Sequence, residues 1–86
     1  MGRYRIEVKR SAVKEIEALP GKAIKAVLDK ISSLADNPRP HDCQKLSGRE
    51  QYRIRRGDYR ILYYIEDDVL IVSVVKVGHR KDVYGN

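Results

Sequence analysis

Three arginines, Arg53, Arg55 and Arg60, stand on the two sides of a Gly57-Asp58 dipeptide, and His79, Arg80, Lys81 and Tyr84 follow in one short run near the carboxyl end. If Gly57-Asp58 is the whole link between two strands, Arg56 pairs with Tyr59, Arg55 with Arg60, Ile54 with Ile61 and Arg53 with Leu62. Side chains alternate between the faces of a sheet, so this register collects Arg53, Arg55, Arg60, Ser73 and Val75 on one face. Ile54, Ile61, Tyr63, Ile65, Leu70, Val72 and Val74 fall on the other. Two guanidinium groups directly opposite each other repel, and destabilise a hairpin by a few tenths to ~1 kcal/mol. Selection for stability alone does not produce that pair. The same alternation carried past Val75 and Val77 brings His79 onto the arginine face, with Arg80, Lys81 and Tyr84 close behind, unless Gly78 breaks the parity. The chemistry such a face suits is the binding of a polyanion, because the planar fork of arginine matches phosphate oxygens two at a time. Imidazole adds a group whose ordinary pKa of about 6.5 suits proton transfer near neutrality. Solvated arginines also occur on open sheet faces as a guard against edge pairing; the Arg55 and Arg60 juxtaposition argues against that blander reading.

An open basic face needs a buried reverse side, and the rest of the chain is patterned to supply it. Tyr4, Ile6 and Val8 alternate with Arg5, Glu7 and Lys9, which predicts a first strand over 4–9. Ser11 offers an N-cap oxygen to a helix carrying Ala12, Val13, Ile16 and Leu19, which ends at Pro20-Gly21. From Lys22 a second helix places Ala23, Ile24, Val27, Leu28, Ile31 and Leu34 on one stripe. Asn37-Pro38 and Pro40 stop it, because a residue before proline is pushed out of the helical region. A polar loop runs to about Cys43, and strands are predicted over 52–56, 59–66 and 69–77, with Asp67-Asp68 between the last two. The order predicts one α+β domain over 1–86, in which an N-terminal strand and three to four antiparallel strands make a twisted sheet with both helices on one face.

Composition narrows the function classes. The chain has 86 residues, 18 Lys and Arg against 12 Asp and Glu, and a net charge of +6. A chain this short buries only about 60% of its unfolded surface, so its function belongs on or near the surface, not in a deep cleft. Apolar residues at 42% and charged residues at 35% exclude both a disordered chain and a membrane protein. The longest apolar run, 69–75, is interrupted by Ser73, and residues 1–10 lack the apolar core of a signal peptide, so a cytoplasmic location is expected. The lone Cys43 makes no internal disulfide, and no Cys/His cluster has zinc spacing; neither a metal nor another cofactor is expected. Phe and Trp are absent, which leaves tyrosines and arginine planes to contact bases. His41, between Pro40 and Asp42, reads as a solvated turn residue, and Cys43 as a small packing residue. Tyr59 and Tyr63 share the core parity of Ile61, whereas Tyr64 lies on the other face.

The segments Tyr52-Arg53-Ile54-Arg55, Gly57-Asp58-Tyr59-Arg60-Ile61-Leu62-Tyr63 and Val77-Gly78-His79-Arg80-Lys81-Asp82-Val83-Tyr84, with the opening strand and the Asn37-Pro38 loop, resemble the RelE/ParE superfamily of small bacterial and archaeal toxins, the RelE branch above all. The resemblance covers nearly the whole chain. It implies a ribosome-dependent endoribonuclease that cuts messenger RNA in the ribosomal A site and is held inactive by a cognate RelB-like antitoxin in a hetero-oligomeric complex. In such metal-free chemistry the ribose 2′-hydroxyl attacks the adjacent phosphorus, so a proton must be taken, a phosphorane stabilised and the leaving 5′-oxygen protonated. Carried over by position, Arg53 and Arg55 match the two basic strand residues and Arg60 the phosphate-stabilising arginine. Arg80 matches a basic residue suited to proton donation or charge stabilisation, Tyr84 the terminal tyrosine that orients or stacks on the nucleotide, and His79 is an alternative general acid. Arg53, Arg56 and Lys81 are the expected RNA contacts. The family pattern has lysines where this chain has Arg53 and Arg55, and an arginine, with a pKa above ~12, does not release its proton as a lysine can. Proton acceptance then falls to His79, a ribosomal RNA group or solvent. Asp42 and Glu50 lie near the site in sequence and read as solvated, structural carboxylates. Two other functions fit the same fold: a ParE-like inhibitor of DNA gyrase, whose relatives generally lack the basic set, and a non-catalytic ribosome- or RNA-binding module.

Overall fold

A computed structural model describes residues 3–46 and 50–79. Its elements run β1 (Arg5–Val8), α1 (Arg10–Glu17), α2 (Gly21–Ser33), β2 (Gln44–Lys45), β3 (Gln51–Arg56), β4 (Tyr59–Glu66) and β5 (Ile71–His79). They make one sheet in the order β1-β5-β4-β3-β2. β2 to β5 are antiparallel neighbours, and β1 joins the edge parallel to β5. The α+β arrangement is the one expected, N-terminal strand included; the parallel pairing of β1 with β5 and the place of the two-residue β2 are what the structure adds.

The Gly57-Asp58 link fixes the centre of the sheet. Gly57 takes φ 60°, and Asp58 is not among the positive-φ residues, the pattern of a two-residue II′ turn whose twist suits a hairpin. The pairing that results is the one the alternation predicts, Arg56 with Tyr59 through Arg53 with Leu62. One face of that hairpin is buried. Tyr52, Ile54, Ile61, Tyr63, Ile65, Val72, Val74 and Val77 meet Ala12 and Ile16 of α1 and Val27, Ile31 and Leu34 at the end of α2. Each fully buried aliphatic side chain of this set contributes about 1.5–3 kcal/mol relative to exposure. Among the described residues no helix is long and apolar enough to cross a membrane.

Four local expectations are corrected. Helix α1 starts one residue before Ser11, with Lys9 at its N-cap and no side-chain cap bond. Leu70 does not join the core: it adopts φ 56° in the turn between β4 and β5, stays 36% exposed, and β5 begins only at Ile71. Val13 and Leu28, on the apolar stripes of the two helices, remain exposed; with Val8, Ile16 and Ile24 they line an apolar hollow.

The fourth correction reaches the site. β4 pairs Leu62 with Lys76 but Tyr63 with Val74, so Val75 is an extra residue, a β-bulge that inverts the parity of everything after it. Val77 therefore points into the core, and His79 pairs with Tyr59 on the helix side, not with the arginines. Helix α1 meets the bulged segment. β1 ends at Val8, paired with Val74, and beyond it the Glu15 carboxylate takes over as partner of β5. Its Oε1 accepts from the Val77 amide at 2.9 Å and its Oε2 from Lys76 Nζ at 3.0 Å.

Candidate functional site

The open face of the sheet is built on a small second cluster, in which Leu46 and Val75 cover Leu62. Beside it Arg53 and Arg55 of β3 and Arg60 of β4 share one wall of a groove of about 430 Å3. Arg55 and Arg60 are directly opposed, and Arg60 is flanked on its other side by Gly78, a position without a side chain. The second wall is the loop before β2, with His41, Asp42 and Cys43 lining it, and Gln44 at the start of β2.

That loop is held from several directions. The Cys43 amide donates to the Pro40 carbonyl at 3.0 Å, closing a turn with His41 and Asp42 at its centre. Lys30 of α2 donates to Asp42 Oδ2 at 2.9 Å. This bond holds the Asp42 carboxyl below the usual range. The hydroxyl of Tyr63, a fully buried ring, donates to the Pro38 carbonyl at 2.8 Å. Burial raises the Tyr63 pKa, so this hydroxyl stays protonated and keeps donating. Gln44 Oε1 accepts from Arg53 Nη2, which joins the two walls.

A neighbouring network pins the start of the loop. Arg39 grips Asp67 through two bonds, 3.1 and 2.7 Å, and donates to the Tyr52 hydroxyl at 2.9 Å. Its Nη2 also reaches Glu50 at 3.2 Å. Tyr4 of the amino-terminal segment donates to the same Asp67 carboxylate at 2.7 Å. Arg39 and Tyr4 together hold the Asp67 carboxyl down at about 2. Tyr52 stacks on Tyr63 with centroids 5.8 Å apart, so the clamp continues into the ring that anchors Pro38.

The sequence-based set is thus divided. Arg53, Arg55 and Arg60 come together. Arg56 pairs with Tyr59 at the hairpin end and does not line the groove. His79 meets Tyr59 edge to face on the other side of the sheet, at 5.8 Å. Arg80, Lys81 and Tyr84 lie outside the described residues. Glu50 is taken up by Lys45 at 2.9 Å and by Arg39, away from the arginine groove. His41, Asp42, Cys43 and Gln44 are the lining residues that alternation could not find; the Pro38 and Pro40 stop signals announce a loop there but not where it folds back. Among the described residues no three His, Cys, Asp or Glu side chains gather to hold a metal ion. The groove can therefore offer three cationic donors, one imidazole and an amide, beside the Asp42 carboxylate, to an extended anionic strand.

Known proteins share this fold. Toxin RelG of Mycobacterium tuberculosis is 32% identical over 85 residues, covering 94% of this chain and 95% of its own. The crystal structure of the archaeal RelE-RelB complex from Pyrococcus horikoshii contains a chain with TM-score 0.84 and 28% identity, covering 94% of this chain and 99% of that one. The isolated Escherichia coli RelE toxin superposes with TM-score 0.78 at 26% identity, covering 88% of this chain and 83% of its own. Residues 6–84 match the family model of the ParE toxin of type II toxin-antitoxin systems. With that match over most of its length and RelE proteins as its relatives, the chain belongs to the ParE toxin family of type II toxin-antitoxin systems, in its RelE branch.

Proposed function

We propose that this toxin is a ribosome-dependent endoribonuclease that cuts messenger RNA by attack of a ribose 2′-hydroxyl on the adjacent phosphate. One observation carries the reading: Arg53, Arg55 and Arg60 converge on one groove although Arg55 and Arg60 repel across the strand pair. Guanidinium groups hydrogen-bond phosphate oxygens in pairs and stabilise the extra charge of a phosphorane, which makes an otherwise unfavourable cluster useful. Arg55 and Arg60 take that role, Arg53 contacts the strand, and Arg80 and Tyr84 of the carboxyl-terminal run complete the nucleotide contacts. Arg56 and Lys81 supply outer phosphate contacts. The partner is a RelB-like antitoxin: the solved relatives include a RelE-RelB complex. A net charge of +6 suits an acidic partner, and the hollow beside Val13 and Leu28 suits an apolar one.

The test is cleavage of a message on programmed ribosomes, with the 5′ ends mapped. Breaks inside translated codons are expected, and Arg55→Ala with Arg60→Ala should abolish them while leaving the fold intact, since neither side chain belongs to the core. Intact messages with DNA-damage signalling on induction would instead identify a gyrase inhibitor. Ribosome cosedimentation without cleavage, insensitive to Arg60→Ala, would identify a binding module.

A further inference from the structure

Among the described residues lining the arginine groove there is one imidazole, and it is not the one that strand alternation points to. The Val75 bulge carries His79 to the Tyr59 side of the sheet, whereas His41 stands on the groove wall facing Arg53, Arg55 and Arg60. Resting on the ribonuclease reading above, we propose that His41 is the catalytic base that removes the 2′-hydroxyl proton.

The other lining groups are poorly suited to the task. Arginines only donate. Gln44 does not titrate, and its Oε1 is engaged by Arg53. Asp42 is ion-paired with Lys30 at 2.9 Å, which weakens it as a base, and Cys43 packs against the core. His41 is exposed, at the centre of a turn closed by the Cys43 amide, and that turn is anchored by Tyr63 and Lys30. Arg53, Arg55 and Arg60 line the same groove, and Asp42, the neighbour of His41 in the turn, is tied to Lys30.

In the step itself the imidazole lone pair takes the proton of the 2′-hydroxyl, and the electrons of that O–H bond form the new bond to phosphorus. The bond from phosphorus to O5′ breaks with its electron pair on O5′, which takes a proton from water. The imidazolium returns its proton to the hydroxide so formed. The products are a 2′,3′-cyclic phosphate and a 5′-hydroxyl, with no net change in protons.

The experiment is single-turnover cleavage of a message on programmed ribosomes by the whole chain, measured from about pH 5 to about pH 8, the range over which an imidazole ordinarily titrates. His41→Gln should slow cleavage at least about 100-fold, the lower end of what a positioned base contributes. It should also remove the acid limb of the pH profile while leaving ribosome cosedimentation unchanged. Free imidazole should restore part of the rate to His41→Ala. If His41→Gln cleaves at the wild-type rate with the wild-type profile while Arg60→Ala is inactive, the role of His41 is overturned and the nuclease reading stands. A slower variant with an unaltered profile and no imidazole rescue also overturns it. Wild-type protein that leaves the message uncut overturns both.

Discussion

Neutralising one arginine of the opposed pair should make this protein more stable and less active, and the size of the gain can be worked from the register. Arg55 and Arg60 are direct cross-strand partners, Arg55 exposed and Arg60 half-buried. Opposed β carbons are separated by about 5 Å, and long side chains splay to place their charges at about 7 Å. Two unit charges at about 7 Å in water repel by about 0.6 kcal/mol, and a screening length of about 8 Å at physiological salt reduces this to about 0.3 kcal/mol. Arg53 adds a smaller repulsion from two residues along β3. Arg55→Gln, a neutral chain of similar reach, should therefore raise stability by about 0.5–1 kcal/mol at low salt, which for a domain this size is a rise of about 2–6 °C in Tm. Circular-dichroism melts at low and at high salt measure it. The gain should shrink by more than half at high salt, and Arg56→Gln, whose partner is Tyr59, should show little of it. An Arg55→Gln protein that melts at or below the wild-type temperature at low salt, or one whose gain is indifferent to salt, would refute the claim that the arginine pair costs stability.

Two further outcomes concern the scaffold around the groove. Tyr63→Phe should cost about 1–3 kcal/mol in urea unfolding, because it strands the buried Pro38 carbonyl that the hydroxyl reaches at 2.8 Å; a loss under about 0.5 kcal/mol would show that this bond is not holding the loop. Asp67 bears on acid stability: its folded carboxyl is held at about 2, below an unfolded value of about 3.9, so its contribution is complete above about pH 4 and is lost as the pH falls from about 4 to about 2. Asp67→Asn should lower the urea midpoint at pH near 7 and flatten that acid limb, and wild-type and variant curves that run parallel through it would contradict the assignment.

What the sequence made legible is the part governed by local rules. A two-residue link fixes the parity of the strands on both sides, so the grouping of Arg53, Arg55 and Arg60 and the burial of Ile54, Ile61 and Tyr63 followed from Gly57-Asp58 alone. The failures share a different cause. Val74-Val75-Lys76-Val77 contains no glycine or proline to announce a bulge, and the residue that accepts the displaced amide, Glu15, lies 62 positions away. The position of Leu70 depended on turn length, which two aspartates do not specify. His41 was read as an exposed turn residue, which it is; that the turn forms a groove wall depends on Lys30, 12 residues before Asp42, and on Tyr63, 25 residues after Pro38.

Site and core are consequently less separable here than an open arginine face suggests. The hairpin presents its charges on one side and spends its other side on the helices, and Tyr63 belongs to the buried side. Yet Tyr63 is also the residue that anchors Pro38 and, through it, the wall carrying His41. In the same way α1 contributes no groove residue, but its Glu15 sustains the bulge that removes His79 from the arginine face. A substitution in either helix-side position can therefore shift His41 or His79 relative to the arginines without touching a groove residue. The sensitivity runs from the core to the site because β4 and β5 are shared by both: moving one residue of register at Val75 exchanges every side chain beyond it between the packed face and the open one.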